Sequence, residues 1–166
     1  MEINEYFEKI EKNVTKAYDI AKKARLKKYD PSDDVEIISV KNMAEKVEGL
    51  VSVVSPQVKD KGIPLRILEL EKLFGKLDWR VALTISLEVA NEKFCKFKDK
   101  IEAIEVGIRV GFAYITLGSV ASPLEGFVKL GIKKRKDGGE YFCLYYSGPV
   151  RSAGGTGASV SVLIAD

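Results

Sequence analysis

Residues 126–146 read GFVKLGIKKRKDGGEYFCLYY, and this stretch decides the fold because its apolar residues change period. Val128, Leu130 and Ile132 alternate with polar or small residues, which is typical of a half-buried strand. The DGG run at 137–139 indicates a hairpin turn, and YFCLYY follows as the second strand. This second strand is apolar on both faces, so we expect both faces to be covered. A lone hairpin is marginally stable, so it must pack on helices or join strands outside this chain.

The residues before the hairpin follow a helical period. Apolar residues recur at helical spacing from Ile3 to about Lys28, and Pro31 then interrupts the pattern. Residues 35–40 (VEIISV) are a short β-prone segment. Capping and helix-breaking residues divide the remainder into short helices: starts at Asn42 (in a capping box with Glu45), Ser55-Pro56, Pro64, Asp78 and about Asp99, and stops at Gly62, Gly75 and about Leu117.

These patterns predict an α+β fold that is mostly helical. Residues 1–120 form an N-terminal bundle of five or six helices, and residues 121–166 add a basic β-hairpin, a glycine-rich turn and the start of a C-terminal helix at 160–166. No repeat or linker interrupts residues 1–166, so we expect one domain. The last helix lacks a C-cap, which indicates a piece of a longer protein.

Composition excludes several classes of site. The chain has no histidine, so Ser–His, Cys–His and histidine–metal chemistry are excluded. Cys95 and Cys143 lie far apart without metal-ligand spacing, and we interpret them as small buried thiols. No motif for catalysis or for a bound metal or cofactor is present.

The longest apolar run, at residues 104–121, is predicted to be a buried helix. Glu105 and Arg109 interrupt this run at a spacing of four, which suits an ion pair on a helix better than a membrane span. The N-terminus has no apolar signal region, so we expect no membrane partner and a cytoplasmic location.

A glycine-rich turn at residues 148–159 (GPVRSAGGTGAS) is one candidate site. It lacks the lysine of a Walker A loop and the third glycine of a dinucleotide fingerprint. A less specific phosphate contact and a purely structural corner both remain open for it. The residues that would make the contact are Arg151, Ser152, Gly154, Gly155 and Thr156.

Four consecutive cations at the hairpin tip are the second candidate site. Lys133, Lys134, Arg135 and Lys136 could lie along a phosphate backbone, although a solvated turn has the same composition. The tyrosines at 141, 145 and 146 could stack on bases, or could simply pack under a covered strand.

The sequence resembles the N-terminal region of the large subunit of archaeal family-D DNA polymerases, also called DNA polymerase II. The most specific part of the resemblance is SGPVRSAGGT at 147–156; ASPLEG at 121–126 and SVLIAD at 161–166 also match. The opening is similar as well, with KAYDIAKKAR at 16–25 and NMAEKVEGLV at 42–51. Residues 157–159 (GAS) depart from the larger helix-forming residues of the family pattern, so the last helix is expected to start later.

The resemblance implies a non-catalytic scaffold or contact domain of a replicative DNA-directed DNA polymerase. In that family the large subunit pairs with a small subunit that carries a 3′–5′ exonuclease. The Mg²⁺-binding acidic residues of the polymerase site and the zinc-binding cysteines lie downstream of this region. The implied partners are a DNA primer–template, the small exonuclease subunit and the remainder of the large subunit. A stand-alone protein-interaction module and a small phosphate- or nucleotide-binding enzyme are the alternatives.

Overall fold

A computed structural model describes residues 3–29, 40–117, 121–148, 150 and 155–166. Contacts between residues group the chain into two compact units, Met1–Ile38 and Ser39–Asp166. Of the predicted β-prone segment at 35–40, only Val40 is among the described residues. Pro31, predicted to interrupt the first helical pattern, also lies outside them. The boundary at residue 120 and the single domain remain predictions.

The first unit contains one long helix, α1, at Ile3–Leu26. Glu5 lies in its first turn and Lys23 and Arg25 lie in its last turn, where each charge favours the nearby end of the helix dipole. Lys28 follows the helix with a left-handed backbone (φ 58°). The predicted amphipathic helix is therefore present and ends two residues earlier than expected.

The second unit contains five further α-helices and a hairpin among its described residues. Their bounds are Met43–Val54 (α2), Ile63–Phe74 (α3), Trp79–Ala90 (α4), Lys100–Ile115 (α5), Phe127–Lys134 (β1), Glu140–Tyr146 (β2) and Gly155–Ala165 (α6), with a 3₁₀ turn at Pro56–Val58 and a π-helical turn at Ala121–Gly126. The fold is mostly helical α+β, as predicted.

Three of these helices begin at polar caps that the sequence predicted. The side chains of Asn42, Asp78 and Asp99 each accept a hydrogen bond from a backbone N–H in the first turn that follows. Glu45 forms a variant of the capping box, because its carboxylate accepts the backbone N–H of Lys41, the residue before the cap, at 2.8 Å. These caps satisfy backbone donors that have no partner within the helix.

The segment between α2 and α3 differs from the prediction. Ser55-Pro56 starts only the three-residue 3₁₀ turn, and the Ser55 side chain makes no capping hydrogen bond. Gly62, predicted as a stop, is instead the residue before α3, with φ 88°. Glycine suits this junction because it adopts a left-handed backbone conformation without steric cost.

The main apolar core lies between α2, α3, α4 and α5. It includes fully buried aliphatic residues from each helix, such as Val47, Ile67, Ile85 and Val110. The α4 and α5 backbones approach closely at small residues: a Cβ on Gly111 would lie 2.8 Å from the Ala82 carbonyl oxygen. The glycines at 107 and 111 therefore set the distance at which α5 packs on α4.

A second apolar core forms where the hairpin lies on α5. Ile108 and Phe112 of α5 pack against Phe127 and Leu130 of β1, and Leu144 of β2 is partly buried beside them. Because α5 contributes to both cores, the predicted buried helix is confirmed. Among the described residues, no helix is long and apolar enough to cross a membrane.

Two predictions about the C-terminal part are wrong. The second strand is not covered on both faces by the described residues, since Tyr141 and Phe142 are each 45% exposed and lie on opposite faces. The last helix begins at Gly155, five residues before the predicted start. Helix α6 packs on the second core through Val160 and Ile164, which compensates for the low helix propensity of its glycines.

Candidate nucleic-acid interface

The strand register gives the hairpin two chemically different faces. The strands pair antiparallel from Lys129 opposite Tyr145 to Lys134 opposite Glu140, with an irregularity between Phe127 and Lys129. Since neighbouring residues point to opposite faces, one face holds Leu130 and its partner Leu144 and packs on α5. The other face, called the outer face here, carries Lys129, Gly131, Lys133, Tyr141, Cys143 and Tyr145.

Arg109 of α5 fastens the start of β1 to the helix. Its side chain is buried and donates hydrogen bonds to the carbonyl oxygens of Pro123, Phe127 and Val128 at 2.6–2.8 Å. The same guanidinium pairs with Glu105 at 2.9 Å and lies 4.8 Å from the centroid of the Phe127 ring. A planar group with five N–H donors suits this arrangement, which a lysine could not reproduce.

Glu105 holds the next part of the same strand. Its second carboxylate oxygen accepts the backbone N–H of Leu130 at 2.9 Å. The ion pair predicted between Glu105 and Arg109 is therefore present, and both residues also position the hairpin. Sequence reasoning missed this second role, because the spacing of four explains the pair without reference to any strand.

Hydrogen bonds hold the C-terminal end of β2 against α6 and the π-helical turn. The hydroxyl groups of Tyr146 and Ser161 of α6 lie 2.5 Å apart in a hydrogen bond. The Ser147 N–H donates to the Gly126 carbonyl at 2.8 Å, and the Ser147 hydroxyl donates to the Glu125 carbonyl. Both strands are thus tied to neighbouring elements at the end far from the turn, and the turn projects away.

All four predicted cations at the tip are exposed, but they are not equivalent. Arg135 pairs with Asp137 at 3.3 Å and folds over the turn, where a Cβ on Gly139 would lie 2.6 Å from one of its nitrogens. Gly138 has φ 86°, as the predicted turn requires. Lys134 lies opposite Glu140 in the register. The positive charge of Arg135 is therefore partly neutralised by Asp137 in the same turn.

The outer face contains a cluster of two lysines around one tyrosine. The ammonium groups of Lys129 and Lys133 lie 5.0 and 5.6 Å from the centroid of the Tyr145 ring. A hydrogen bond to Tyr145 raises the pKa of Lys133. Lys129 was not among the predicted site residues, although its alternation with Gly131 and Lys133 in the sequence would have placed it on this face.

The hairpin concentrates positive charge. Residues 127–146 contain five Lys or Arg and two Asp or Glu, a net charge of +3, which equals the formal net charge of all 166 residues. The remaining residues are therefore neutral on balance. An anionic partner would contact this cluster of positive charge, so the cluster matters more for binding than the net charge of the whole chain.

The residues of the glycine-rich turn are described only in part. Arg151, Ser152 and Gly154 lie outside the described residues. Gly155 and Thr156 form the first turn of α6. The predicted contact of these residues with a phosphate, and the competing structural corner, both remain predictions.

The described residues hold no group of three or more His, Cys, Asp or Glu side chains that could bind a metal ion. Cys95 and Cys143 are free and partly buried, and burial raises the pKa of the Cys95 thiol.

Comparisons with known proteins agree with the resemblance. Residues 5–166 match the family described as DNA polymerase II large subunit DP2, N-terminal. The DNA polymerase II large subunit of Nanoarchaeum equitans is 48% identical over 161 residues, which are 97% of this chain and 13% of that protein. The subunits of that name from Methanococcoides burtonii and Pyrococcus furiosus are 42% and 44% identical over 99% of this chain.

This chain spans 14% of the Methanococcoides burtonii protein and 12% of the Pyrococcus furiosus protein. Because the match runs through almost every residue of the chain at these identities, it includes the hairpin and the elements that anchor it. The chain belongs to the family of archaeal DNA polymerase II large subunits and corresponds to their N-terminal region.

Proposed function

We propose that this chain is a non-catalytic contact domain of the large subunit of a replicative DNA-directed DNA polymerase, and that its hairpin binds the primer–template. The observation that carries the proposal is the charge of the hairpin, which holds a net +3 on a projecting element of 20 residues. Cations on a protruding hairpin can neutralise phosphates and release condensed counterions.

The anchoring of the hairpin supports the same function. Arg109 holds the base of β1 on α5 through buried hydrogen bonds, and Glu105 adds a partly buried one. Phosphate contacts orient a protein on a duplex rather than read its sequence, and a replicative polymerase needs contacts of that kind. The domain would then help to keep the primer–template in register for a catalytic centre elsewhere in the large subunit.

In this proposal, the complete enzyme carries out nucleotide addition and 3′–5′ exonuclease cleavage, and it holds the metals that these reactions need. The names of the relatives support DNA polymerisation by the intact large subunit. Mg²⁺ and zinc would be held by residues of that subunit outside this chain, and the exonuclease by its small partner subunit. In a cell, the chain would work in the cytoplasm, where archaeal DNA is replicated.

Assembly is a second candidate function, favoured by a specific observation. An apolar cleft of about 560 Å³ lies between β2 and α6, lined in part by Phe142, Leu144, Tyr146 and Val162. Val162 and Leu163 are more than half exposed beside it. Exposed apolar surface of this kind suits packing of the remainder of the large subunit or of the small subunit.

A binding titration with matched charge variants tests DNA contact. The first variant changes Lys133, Lys134, Arg135 and Lys136 to glutamine. The control makes the same change of charge at four exposed lysines elsewhere in the second unit: Lys61, Lys72, Lys76 and Lys98. Fluorescence anisotropy of a labelled primer–template, at low salt, gives the dissociation constant of each protein.

We expect the hairpin variant to bind on the order of tenfold more weakly than the wild type and the control to change much less. An Arg151→Ala variant tests the glycine-rich turn in the same assay. Equal losses in the hairpin variant and the control would contradict a hairpin contact. Absence of binding by the wild type would contradict DNA contact and favour assembly, and capture of the small subunit would then test that function directly.

A further inference from the structure

We propose that the outer face of the hairpin is a stacking site for single-stranded nucleic acid, in which a base lies on Tyr145 and the flanking phosphates bind Lys129 and Lys133. This inference rests on the proposed DNA contact and adds to it the residues and the kind of strand. It does not depend on the tip cations at 134–136.

Gly131 allows the Tyr145 ring to lie close against the sheet. A Cβ at this position would approach the Tyr145 Cε2 atom to 3.0 Å, which is tighter than ordinary contact. Gly131 and Tyr145 lie on the same face as diagonal neighbours, because Tyr145 pairs with Lys129, two residues before Gly131. The glycine therefore provides a gap between two lysines, and the ring extends over it.

The two lysines lie on either side of this gap. They are four residues apart on one strand, so their Cα atoms are about 13 Å apart along it. Both side chains are exposed, and both ammonium groups lie within 6 Å of the ring centroid. Such exposed, flexible ammonium groups can leave the ring for phosphates on each side when a base stacks on it.

The environment of Tyr145 distinguishes it from its neighbour. Tyr146 packs against the second core and bonds to Ser161. Neither of the two apolar cores found in the described residues includes Tyr145. It lies half-buried on the face opposite Leu130 and shares that face with Cys143 and with Tyr141, which is 45% exposed. Packing under a covered strand therefore explains Tyr146 but not Tyr145.

The chemistry of the face favours an unpaired strand. Aromatic side chains among cations bind single strands because every base can stack on a ring, whereas bases in a duplex are already stacked. A stacked base contributes an affinity on the order of tenfold. The template beyond the primer end is the part of a primer–template that offers such bases.

The test compares a labelled oligothymidylate with a blunt duplex of equal length. Tyr145→Ala removes the ring, and Tyr145→Phe keeps the ring without its hydroxyl. Phe142→Ala is the control, because it also removes an aromatic ring from β2 but on the opposite face of the hairpin. We expect Tyr145→Ala to weaken binding of the single strand on the order of tenfold and of the duplex much less, with Tyr145→Phe and Phe142→Ala close to the wild type.

A spectroscopic measurement follows stacking directly. Trp79 is the only tryptophan, so Tyr145→Trp in a Trp79→Phe background reports from the outer face alone. A stacked thymine should quench its fluorescence upon titration, and Phe142→Trp in the same background should not respond. Circular dichroism melting of each variant shows whether the hairpin is still folded.

Unchanged single-strand affinity in Tyr145→Ala would overturn the stacking site, and so would equal losses in Tyr145→Ala and Tyr145→Phe. If the glutamine variant at 133–136 still weakened primer–template binding in that case, the proposed DNA contact would stand without stacking. If the wild type bound neither strand nor duplex at low salt, both proposals would fail together.

Discussion

At the scale of single residues, Tyr114 joins α5 to α3 and to the turn between α3 and α4. Its side chain is fully buried, and its hydroxyl donates to Glu71 at 2.9 Å and accepts the Leu77 N–H at 2.8 Å. Leu77 has φ 60°, a backbone conformation that a leucine rarely adopts. The tyrosine therefore holds the turn between α3 and α4 in a strained conformation.

Tyr114→Phe should lower the free energy of unfolding by about 1–3 kcal/mol at neutral pH, because the Leu77 N–H loses its acceptor. Chemical denaturation monitored by circular dichroism measures this change. Tyr141→Phe, at an exposed position, is the control and should leave stability unchanged.

The same tyrosine predicts a dependence on pH. Burial, reinforced by the bond to Glu71, raises the pKa of Tyr114 from 10 to about 12. Since folding favours the neutral phenol, its contribution is complete below pH 10 and falls as pH rises through 12, by about 2–3 kcal/mol. The stability difference between wild type and Tyr114→Phe should therefore shrink above pH 10. A difference that stays constant to pH 12 would contradict this assignment.

Capping residues were the part of the fold that sequence predicted best at this scale. Asn42, Asp78 and Asp99 act within four residues of themselves, so no tertiary information is needed to find them. The partners of Tyr114 lie 37 and 43 residues away, and no local pattern indicates them.

At the scale of elements, the junction of α5 with β1 depends on Arg109. Arg109→Met should lower the free energy of unfolding by about 3 kcal/mol or more, because it leaves carbonyl oxygens and Glu105 without their buried partner. Arg80→Met is the control. Arg80 pairs with Asp78 at the surface, so its loss should lower the free energy of unfolding much less than the loss of Arg109.

Hydrogen exchange shows whether the loss is confined to the hairpin. In Arg109→Met, the amide of Leu130 should exchange faster, since Glu105 is no longer held by its pair. Amides in α3, which supplies none of the hydrogen-bond partners of Arg109 given above, should keep their relative protection. Uniform loss of protection across the second unit would mean that Arg109 stabilises the core and does not specifically position the hairpin.

Sequence periodicity predicted the elements but not how they meet. The switch from a helical to a strand period at residue 126 was sufficient to identify the hairpin. It could not show that Tyr145 would share a face with Gly131 and the two lysines, because the pairing of β1 with β2 depends on the geometry of the turn between them. The start of α6 at Gly155 was also missed, since tertiary packing overrides the low propensity of glycine there.

At the scale of the whole molecule, the distribution of charge is a better guide to an anionic partner than the net charge is. A formal net charge of +3 over 166 residues predicts no anionic partner by itself. That excess lies in one contiguous segment, which the fold presents as an anchored hairpin whose outer face also carries the exposed Tyr141 and the half-buried Tyr145. The motif that identified the family, SGPVRSAGGT, is a different segment, so recognition of the family did not locate the candidate site.

The salt dependence of primer–template binding tests the central claim most directly. Each phosphate neutralised by a cation lowers the slope of log K against log salt by about 0.9 on B-DNA. With Lys133, Lys134, Arg135 and Lys136 changed to glutamine, the slope should become shallower by about 2 to 3, since Arg135 is already paired with Asp137. The control with Lys61, Lys72, Lys76 and Lys98 changed should keep the wild-type slope. Equal slopes for the wild type and the hairpin variant would contradict a hairpin that binds DNA.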